Sequence, residues 1–325
     1  MLDQKVANLV QGGIRYNTRR SYSAGQKLYL KFCNQYGLIP LPVTEDNILR
    51  FVAYMNGVPG RRDKNSLSAG TMNVYLASIR SMQVMSGMDT PSMFTPRVTL
   101  ALRSVSSNQP PPSQRLPIKY DMLRYMLQCL DSDSDQFMWK AALCLGFYGC
   151  CRGSEYTQVS DFHTNIIIHP APTIDSIQFI THEGNPCMIY SINRSKTTTY
   201  GLQKHIGCSH TEVCSVCSMK LYLNERYAVK PYTAKDRLFV TKTDSALTKQ
   251  MLNQKLQTLA KQLGWDASRI SSHSLRAGCA SSCAGFKDWE IASLGNWRST
   301  CYQSYIRNMS HHHYTYSSRI ASNNT

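Results

Sequence analysis

The sequence lacks the long apolar segment that a membrane-spanning helix needs. No run of about 18 apolar residues occurs anywhere in its 325 residues. The first ten residues also lack the basic and then apolar pattern of a secretory signal peptide, because Asp3, Gln4 and Lys5 interrupt them. We therefore expect a protein that is not secreted and has no membrane partner.

Acidic side chains are scarce. The chain has 20 Asp and Glu against 36 Lys and Arg, which gives a formal net charge of +16 and a pI near 9.4. Residues 1–116 hold 14 basic and 5 acidic side chains and the remainder holds 22 and 15, so the excess is spread along the chain. This balance favours a polyanionic partner held by more than one part of the protein. Ribosomal, RNA-binding and membrane-surface proteins share it, so charge alone does not select DNA.

The length and one proline-rich stretch predict two domains. Apolar residues make up 42% of the chain and charged residues 17%, which excludes a mainly disordered protein. Three consecutive prolines in Asn108–Gln114 favour an extended spacer. We predict a helical domain over residues 1–107, a linker over 108–116, a second domain over 117–310 and a C-terminal tail over 311–325.

Apolar spacing predicts an α+β fold that is mainly α. Residues 14–106 follow a helical pattern that indicates four or five helices, one of them beginning at Thr44. After the linker, helical patterns flank four β-like runs, with a polar turn between the last two at Asn193–Thr199. These runs predict a small antiparallel β-sheet and are Ile166–Ile168, Ser176–Thr181, Met188–Ile192 and Gln203–Ile206.

The twelve cysteines, without an export signal, are expected to be reduced thiols. Cys208, His210, Cys214 and Cys217 contain one C-x-x-C pair and could form a Cys3His zinc site. The spacing is loose, a second C-x-x-C is missing, and Cys217 begins a helical stretch. The sequence therefore favours buried thiols at these positions, and we assign no metal.

Three motifs follow one another near the C-terminus: His273-Ser-Leu-Arg276, Leu294-Gly-Asn-Trp297 and Cys301-Tyr-Gln-Ser-Tyr-Ile-Arg307. Their order resembles the C-terminal signature of tyrosine recombinases. In that family an H-x-x-R pair opens a helix, a His or Trp follows a later glycine, and the nucleophilic Tyr comes next. Upstream, Leu145–Glu155 is similar to the family's first arginine motif, and the turn Asn193–Thr199 is similar to the hairpin that carries its catalytic lysine.

The resemblance implies a catalytic set consisting of Arg152, Lys196, His273, Arg276, Trp297 and Tyr305, with Glu155 supporting it. A phosphodiester under attack develops negative charge on its non-bridging oxygens, and two guanidinium groups can hold those oxygens in a fixed geometry. His273 would help to move the proton, and the Trp297 indole would donate a hydrogen bond without adding charge. Lys196 would protonate the leaving 5′-oxygen. No metal or other cofactor is expected.

Tyr302 and Tyr305 lie one helical turn apart, so periodicity does not choose the nucleophile between them. Tyr305 is followed by Ile306 and Arg307, as the nucleophile of the family often is, and we assign the role to Tyr305. Each residue also has a simpler explanation. Arg152 could complement a helix dipole, Lys196 could be a solvated turn residue, His273 could cap its helix, and the tyrosines could belong to the core.

Short segments of the N-terminal part, including Asn17–Tyr22 and Thr71–Arg80, resemble the core-binding domain of Crypton and DIRS-like mobile-element recombinases. The candidate DNA contacts there are Arg19, Arg20, Arg61, Arg62 and Arg80. The family implies double-stranded DNA as partner, a dimer on each site and a tetramer in synapsis. It also implies a nuclear location in a eukaryotic host and a cytoplasmic one otherwise. Two other functions stay open, a domesticated DNA-binding protein without catalysis and a type IB topoisomerase-like enzyme.

Overall fold

The computed structural model describes residues 2–60, 65–89, 92–110, 114–161, 164–193, 201–283 and 285–304. The chain divides into two compact units, Met1–Pro112 and Ser113–Thr325. This division falls within the proline-rich segment that the sequence analysis takes as the linker. None of the helices in the described ranges combines the length and the apolar character that crossing a membrane requires.

The described residues of the first unit form helices and the loops that connect them. Its helices are α1 (Leu2–Gly12), α2 (Tyr16–Gln35), α3 (Glu45–Met55), α4 (Ala69–Met85) and α5 (Pro96–Ser107). The predicted start at Thr44 is confirmed, because its hydroxyl accepts a hydrogen bond from the Asn47 backbone N–H at 3.2 Å. Ser68 and Thr95 cap α4 and α5 in the same way.

The core of the first unit is aromatic where α2 meets α3. Tyr29, Phe32 and Phe51 are buried, and the rings of Tyr29 and Phe51 meet edge to face with centroids 5.1 Å apart. On another side α2 packs against α4 at Gly25, where an added Cβ would lie 2.4 Å from the Ser78 hydroxyl. These contacts hold α2 in place and leave its polar residues in solvent.

The second unit mixes helices with short strands. Its helices are α6 (Tyr120–Gln128), α7 (Gln136–Tyr148), α8 (Gly153–Tyr156), α9 (Ser215–Val229), α10 (Lys249–Gln262), α11 (Ser272–Ser282) and α12 (Asp288–Gly295), and its strands are β1 (Val159–Ser160), β2 (Ile167–His169), β3 (Ile177–His182), β4 (Asn185–Ile192) and β5 (Leu202–Gly207). Three 3-10 turns, Ile174–Ser176, Ala267–Arg269 and Thr300–Ser304, complete the described elements.

Helix α7 lies at the centre of the second core. Residues 141–147 of this helix are all buried, as expected for a helix that is apolar on every face. Strands β3, β4 and β5 form an antiparallel sheet in that order, and β1 pairs with β2 in a separate antiparallel ribbon. In the sheet, Tyr190 of β4 stands opposite Lys204 of β5. The prediction of a mainly helical α+β fold with a small antiparallel sheet is confirmed.

Candidate active site

Arg152 lies in the tight connection between α7 and α8. The carboxylate of Glu155 accepts hydrogen bonds from the Arg152 guanidinium and from its backbone N–H, both at 2.7 Å. Only 2% of the Glu155 side chain is exposed, against 23% for Arg152. A charge-assisted bond to a buried carboxylate fixes the guanidinium at the surface. Arg152 is the N-cap residue of α8, three residues past the C-cap of α7.

Gly153 brings this arginine close to the start of α11. A Cβ added at Gly153 would lie 2.6 Å from the hydroxyl oxygen and 2.8 Å from the Cβ of Ser272, distances that side chains do not adopt. The absence of a side chain at 153 therefore allows α8 to approach the first turn of α11. The next residue of α11 is His273, so two motifs that are far apart in sequence meet here.

His273 occupies the first turn of α11 but does not cap it, because Ser271 holds the N-cap position. Although its side chain reaches solvent, partial desolvation lowers its pKa below the ordinary value of 6.5. The positive charges of Arg276, Arg152, Lys249 and Arg115 lower this pKa further. His273 therefore lies within a field of four cations and is mostly neutral at pH 7.

Arg276, one turn further along α11, is 1% exposed. Its guanidinium donates to the backbone carbonyl of Cys150, and at 2.7 Å to that of Gly295. It also lies over the Trp297 ring, 4.4 Å from the centroid. Among the described residues no carboxylate forms an ion pair with it. The site thus contains a buried cation whose charge is balanced only by dipoles and a π face.

Trp297 is half-buried between Arg276 and Tyr302, and its ring centroid lies 5.9 Å from that of Tyr302. The tryptophan follows Asn296, which ends α12 in the left-handed conformation at φ 51°. Asparagine tolerates this conformation better than most residues do. Gly295 leaves room for the indole, since a Cβ there would lie 2.0 Å from the ring. The resulting turn directs the chain from α12 back towards Arg276.

Lys204 is a buried part of the site that the motifs did not reveal. It lies on β5 and is 5% exposed, and its ammonium donates to the Leu294 carbonyl at 2.6 Å and to the Asn296 side-chain oxygen at 2.5 Å. Burial lowers its pKa. Lys204 therefore ties the sheet to the turn that positions Trp297. The sequence offered one indication of this burial. Lys204 stands two residues before Ile206 on β5, and alternate residues of a strand lie on the same face.

Tyr302 is a core residue. It is 4% exposed and packs with Cys283 and Ile291 as well as with Trp297, and burial raises the pKa of its phenol. For Tyr302, this is the core placement that the sequence left open for both tyrosines. Tyr305 itself lies outside the described residues, as do Lys196, Arg61, Arg62 and the tail 311–325.

The described candidate DNA contacts are exposed on the first unit. Arg19 and Arg20 lie on α2, and Arg80 lies on α4. Lys27, which the sequence analysis did not assign, lines the same shallow groove on α2 as Arg19 and Arg20. Helix α2 holds four Lys and Arg residues and no acidic residue, so every charged side chain on it is basic.

Comparison with known proteins identifies the fold. No protein-family model matches the sequence, and no curated protein is similar enough to it to count as a match. Among solved structures, the XerH site-specific recombinase bound to its palindromic difH substrate matches over 93% of this chain and 79% of its own, at 15% identity and a TM-score of 0.63. The Tn1549 transposon integrase bound to transposon right end DNA covers 91% and 92%, at 15% identity and a TM-score of 0.56.

A lambda integrase dimer bound to a core site matches over 94% of each chain, at 16% identity and a TM-score of 0.55. At such low identities the similarity establishes architecture. The matches extend over nearly the whole chain and include both the helical unit and the mixed unit. The chain has the fold of the tyrosine recombinases.

Proposed function

We propose that this protein is a site-specific DNA recombinase that cuts and rejoins strands through a 3′-phosphotyrosyl intermediate on Tyr305. The observation that carries the proposal is the buried Arg276, a cation without a described carboxylate partner, beside the cationic field around His273. A buried charge is costly unless an opposite charge approaches it. A phosphate of the DNA backbone supplies that charge.

The positions of the arginines suit a phosphodiester better than a carboxylate substrate. A guanidinium has five N–H donors, and the two carbonyl contacts of Arg276 use two of them. The remaining donors, together with those of the half-buried Arg152, can bind the non-bridging oxygens on which charge develops during attack. The net charge of +16 and the basic face of α2 favour the same long polyanion.

The reaction exchanges one phosphoester for another. The Tyr305 phenolate oxygen bonds to phosphorus while the bond from phosphorus to the 5′-oxygen breaks, which leaves a 3′-phosphotyrosine and a 5′-hydroxyl. A 5′-hydroxyl of the partner strand then attacks the phosphotyrosine and releases the phenol. Each step forms one P–O bond and breaks one P–O bond, so no nucleotide energy source is required.

Cleavage requires two proton transfers, which we assign to His273 and Lys196. A phenol loses its proton as it attacks, and we assign its acceptance to His273, whose pKa is lowered by desolvation and by the surrounding cations. Lys196, in the connection between β4 and β5, donates a proton to the leaving 5′-oxygen. Trp297 donates an indole N–H to a phosphate oxygen and keeps Arg276 in position through its ring face.

We further propose that the recombinase belongs to a mobile element of the Crypton or DIRS-like kind. The segments Asn17–Tyr22 and Thr71–Arg80 support this assignment through their resemblance to the core-binding domain of such enzymes. One structural relative is a transposon integrase. We propose binding to duplex DNA as a dimer on each site, assembly of four protomers in synapsis, and a nuclear location in a eukaryotic host.

The nucleophile assignment is tested with a pair of matched variants. A duplex selected for binding from a random library is nicked next to the cleavage position, so that the cut strand cannot be rejoined and the covalent complex accumulates. Tyr305→Phe removes only the phenolic oxygen, and we expect DNA binding without covalent attachment. Tyr302→Phe keeps the ring that packs on Trp297, and we expect attachment close to the wild-type level. Mass spectrometry of the digested wild-type complex locates the adduct.

An adduct on Tyr302, or attachment that persists in Tyr305→Phe, would show that the nucleophile is wrongly assigned. Absence of attachment in the wild-type protein, with binding intact, would favour the non-catalytic DNA-binding alternative. Relaxation of a supercoiled plasmid with a single cleavage site and no strand exchange would favour the topoisomerase-like alternative.

A further inference from the structure

Three cysteines that could bind a metal meet in the connection between β5 and α9, on the second unit, and a histidine lies beside one of them. Cys208 directly follows β5, Cys214 is the N-cap residue of α9, and Cys217 lies in the first turn of that helix. Their three sulfur atoms all lie within 4.8 Å of one another. His210 stands between the first two cysteines, and its Nδ1 lies 3.8 Å from the Cys208 sulfur.

The distances from the Cys208 sulfur to the other three ligand atoms are close to those of a tetrahedral zinc site. Zinc binds sulfur at about 2.3 Å and imidazole nitrogen at about 2.0 Å, so a tetrahedron requires roughly 3.8 Å between sulfurs and roughly 3.6 Å between sulfur and nitrogen. The Cys208 sulfur lies 3.5 Å from that of Cys214 and 3.6 Å from that of Cys217. A disulfide would need about 2.05 Å.

Packing alone does not account for the cluster. Burial as apolar thiols, which the sequence favoured, describes only Cys214, because Cys208 is half-buried and Cys217 is exposed. Of the residues between Cys208 and Cys214, Val213 is buried in the core and anchors the Cys214 end of the loop, whereas Ser209, Thr211 and Glu212 supply little apolar surface near Cys208. Three thiols close together at the solvent-facing start of a helix are typical of a metal site. The backbone N–H of Cys217 donates a hydrogen bond to the Cys214 sulfur at 3.4 Å, which stabilises a thiolate there.

We propose that Cys208, His210, Cys214 and Cys217 bind a structural zinc ion that fixes the connection between β5 and α9. Four protein ligands close the coordination sphere, which is typical of structural rather than catalytic zinc. The ion would anchor the end of β5, the strand that presents Lys204 to the Leu294 carbonyl and the Asn296 side chain. The proposal does not depend on recombinase activity, because its readouts are metal content, spectroscopy and stability.

The test uses the full chain purified without chelators or an affinity tag. The run His311-His312-His313 could bind zinc on its own, so all proteins carry alanine at these three positions. We expect one equivalent of zinc per chain by elemental analysis. Replacement by cobalt should give the strong visible bands of a tetrahedral ion together with a thiolate-to-cobalt charge-transfer band.

The decisive variants are Cys217→Ser and Cys208→Ser, with Cys129→Ser as control. Cys129 is a half-buried cysteine at the end of α6, outside the cluster, so it receives the same chemical change. We expect the two cluster variants to lose zinc to background and the control to keep one equivalent. His210→Ala should weaken competition against a chromophoric chelator, whereas His182→Ala, an exposed histidine on β3, should not.

Stability gives a second, independent readout. A strong chelator should lower the melting temperature of the wild-type protein and of Cys129→Ser, because the metal binds only the folded chain. It should leave Cys217→Ser unchanged. Zinc below stoichiometry in the wild-type protein, equal zinc in Cys217→Ser, or a disulfide between two of the three cysteines in the purified chain would each overturn the proposal.

Discussion

At the scale of single residues, Arg276 shows why charge alone does not define this site. Its guanidinium binds two backbone carbonyls and stacks on an indole at the same time, which only a planar group with several donors can do. Lysine at this position would keep the positive charge but could not make both carbonyl hydrogen bonds while stacking on the indole. The residue therefore positions the Trp297 turn, and in the proposed reaction it also binds phosphate.

We expect Arg276→Lys to slow cleavage by about 10²- to 10³-fold, the usual cost of losing one oriented donor to a developing oxyanion. The buried carbonyls of Cys150 and Gly295 also lose donors, so we expect the free energy of unfolding to fall by about 1–3 kcal/mol. Single-turnover cleavage of the nicked duplex and urea unfolding measure the two effects. Arg97→Lys, in an exposed ion pair, is the control and should change neither. Wild-type cleavage by Arg276→Lys would exclude a role for the guanidinium geometry.

His273 predicts a specific pH dependence. Its pKa lies below 6.5 in the free protein, so the second-order rate constant for cleavage should rise with pH through that lowered pKa and then reach a plateau. The unfolded chain, with an ordinary histidine, binds more protons between the two pKa values. Stability should therefore be lost as the pH falls from 6.5 through the folded pKa.

The pH dependence is measured on the wild-type protein, His273→Gln and the control His182→Gln, by cleavage at limiting protein and by urea unfolding. The residual cleavage rate of His273→Gln should no longer fall at low pH. On acidification this variant should also lose less stability than the wild-type protein does. An acid limb centred above 6.5 in the wild-type protein would contradict the lowered pKa. An unchanged limb in His273→Gln would assign it to another group.

The sequence indicated the motif residues of the site but not the residues that position them. Arg152, His273, Arg276 and Trp297 carry a recognisable order, and the structure brings their segments together. Lys204 belongs to no motif and acts through a carbonyl and an amide about ninety residues away, a contact that only the folded chain defines. The pattern of β5 placed Lys204 on the face of Ile206, but a lysine on a buried face is unusual without a known partner.

At the scale of elements, close approach between α8 and α11 forms the site. The sequence predicts helices on both sides of the β-like runs, and α7 and α11 lie there. It does not predict α8 or β1, because they have four and two residues and periodicity needs longer segments. Helix α8 begins directly after Arg152, and its first residue, Gly153, lies against Ser272. The geometry of the candidate site thus depends on a helix that is too short for hydrophobic periodicity to predict it.

We expect Gly153→Ala to separate α8 from α11. The new Cβ would lie 2.6 Å from the Ser272 hydroxyl, and forced overpacking of this kind costs about 1–3 kcal/mol. Cleavage should fall more than DNA binding does, because Arg152 moves away from His273. The double variant with Ser272→Gly removes the clash and should restore most of the activity. Gly70→Ala on α4, where the nearest atom is 4.0 Å away, is the control and should be neutral.

At the scale of the whole molecule, both units are basic, but the acidic residues around their cations differ. Arg19, Arg20 and Lys27 line one groove on α2, a helix that has no acidic residue. In the second unit, Lys140, Lys230 and Lys235 are paired with Asp131, Asp244 and Asp175. Cations gathered on a helix that has no acidic residue are the ones that we expect to neutralise phosphates and release counterions.

Replacement of Arg19, Arg20 and Lys27 by alanine should weaken duplex binding and make it less dependent on salt. Each phosphate contact contributes a slope of about −0.9 to the plot of log affinity against log salt, so the triple variant should lose about 2 to 3 of that slope. Alanine at Lys140, Lys230 and Lys235 removes the same net charge and should leave the slope nearly unchanged. Fluorescence anisotropy with a random-sequence duplex over a range of salt measures both. Equal losses in the two variants would mean that binding follows total charge, and the basic face of α2 would then have no particular role.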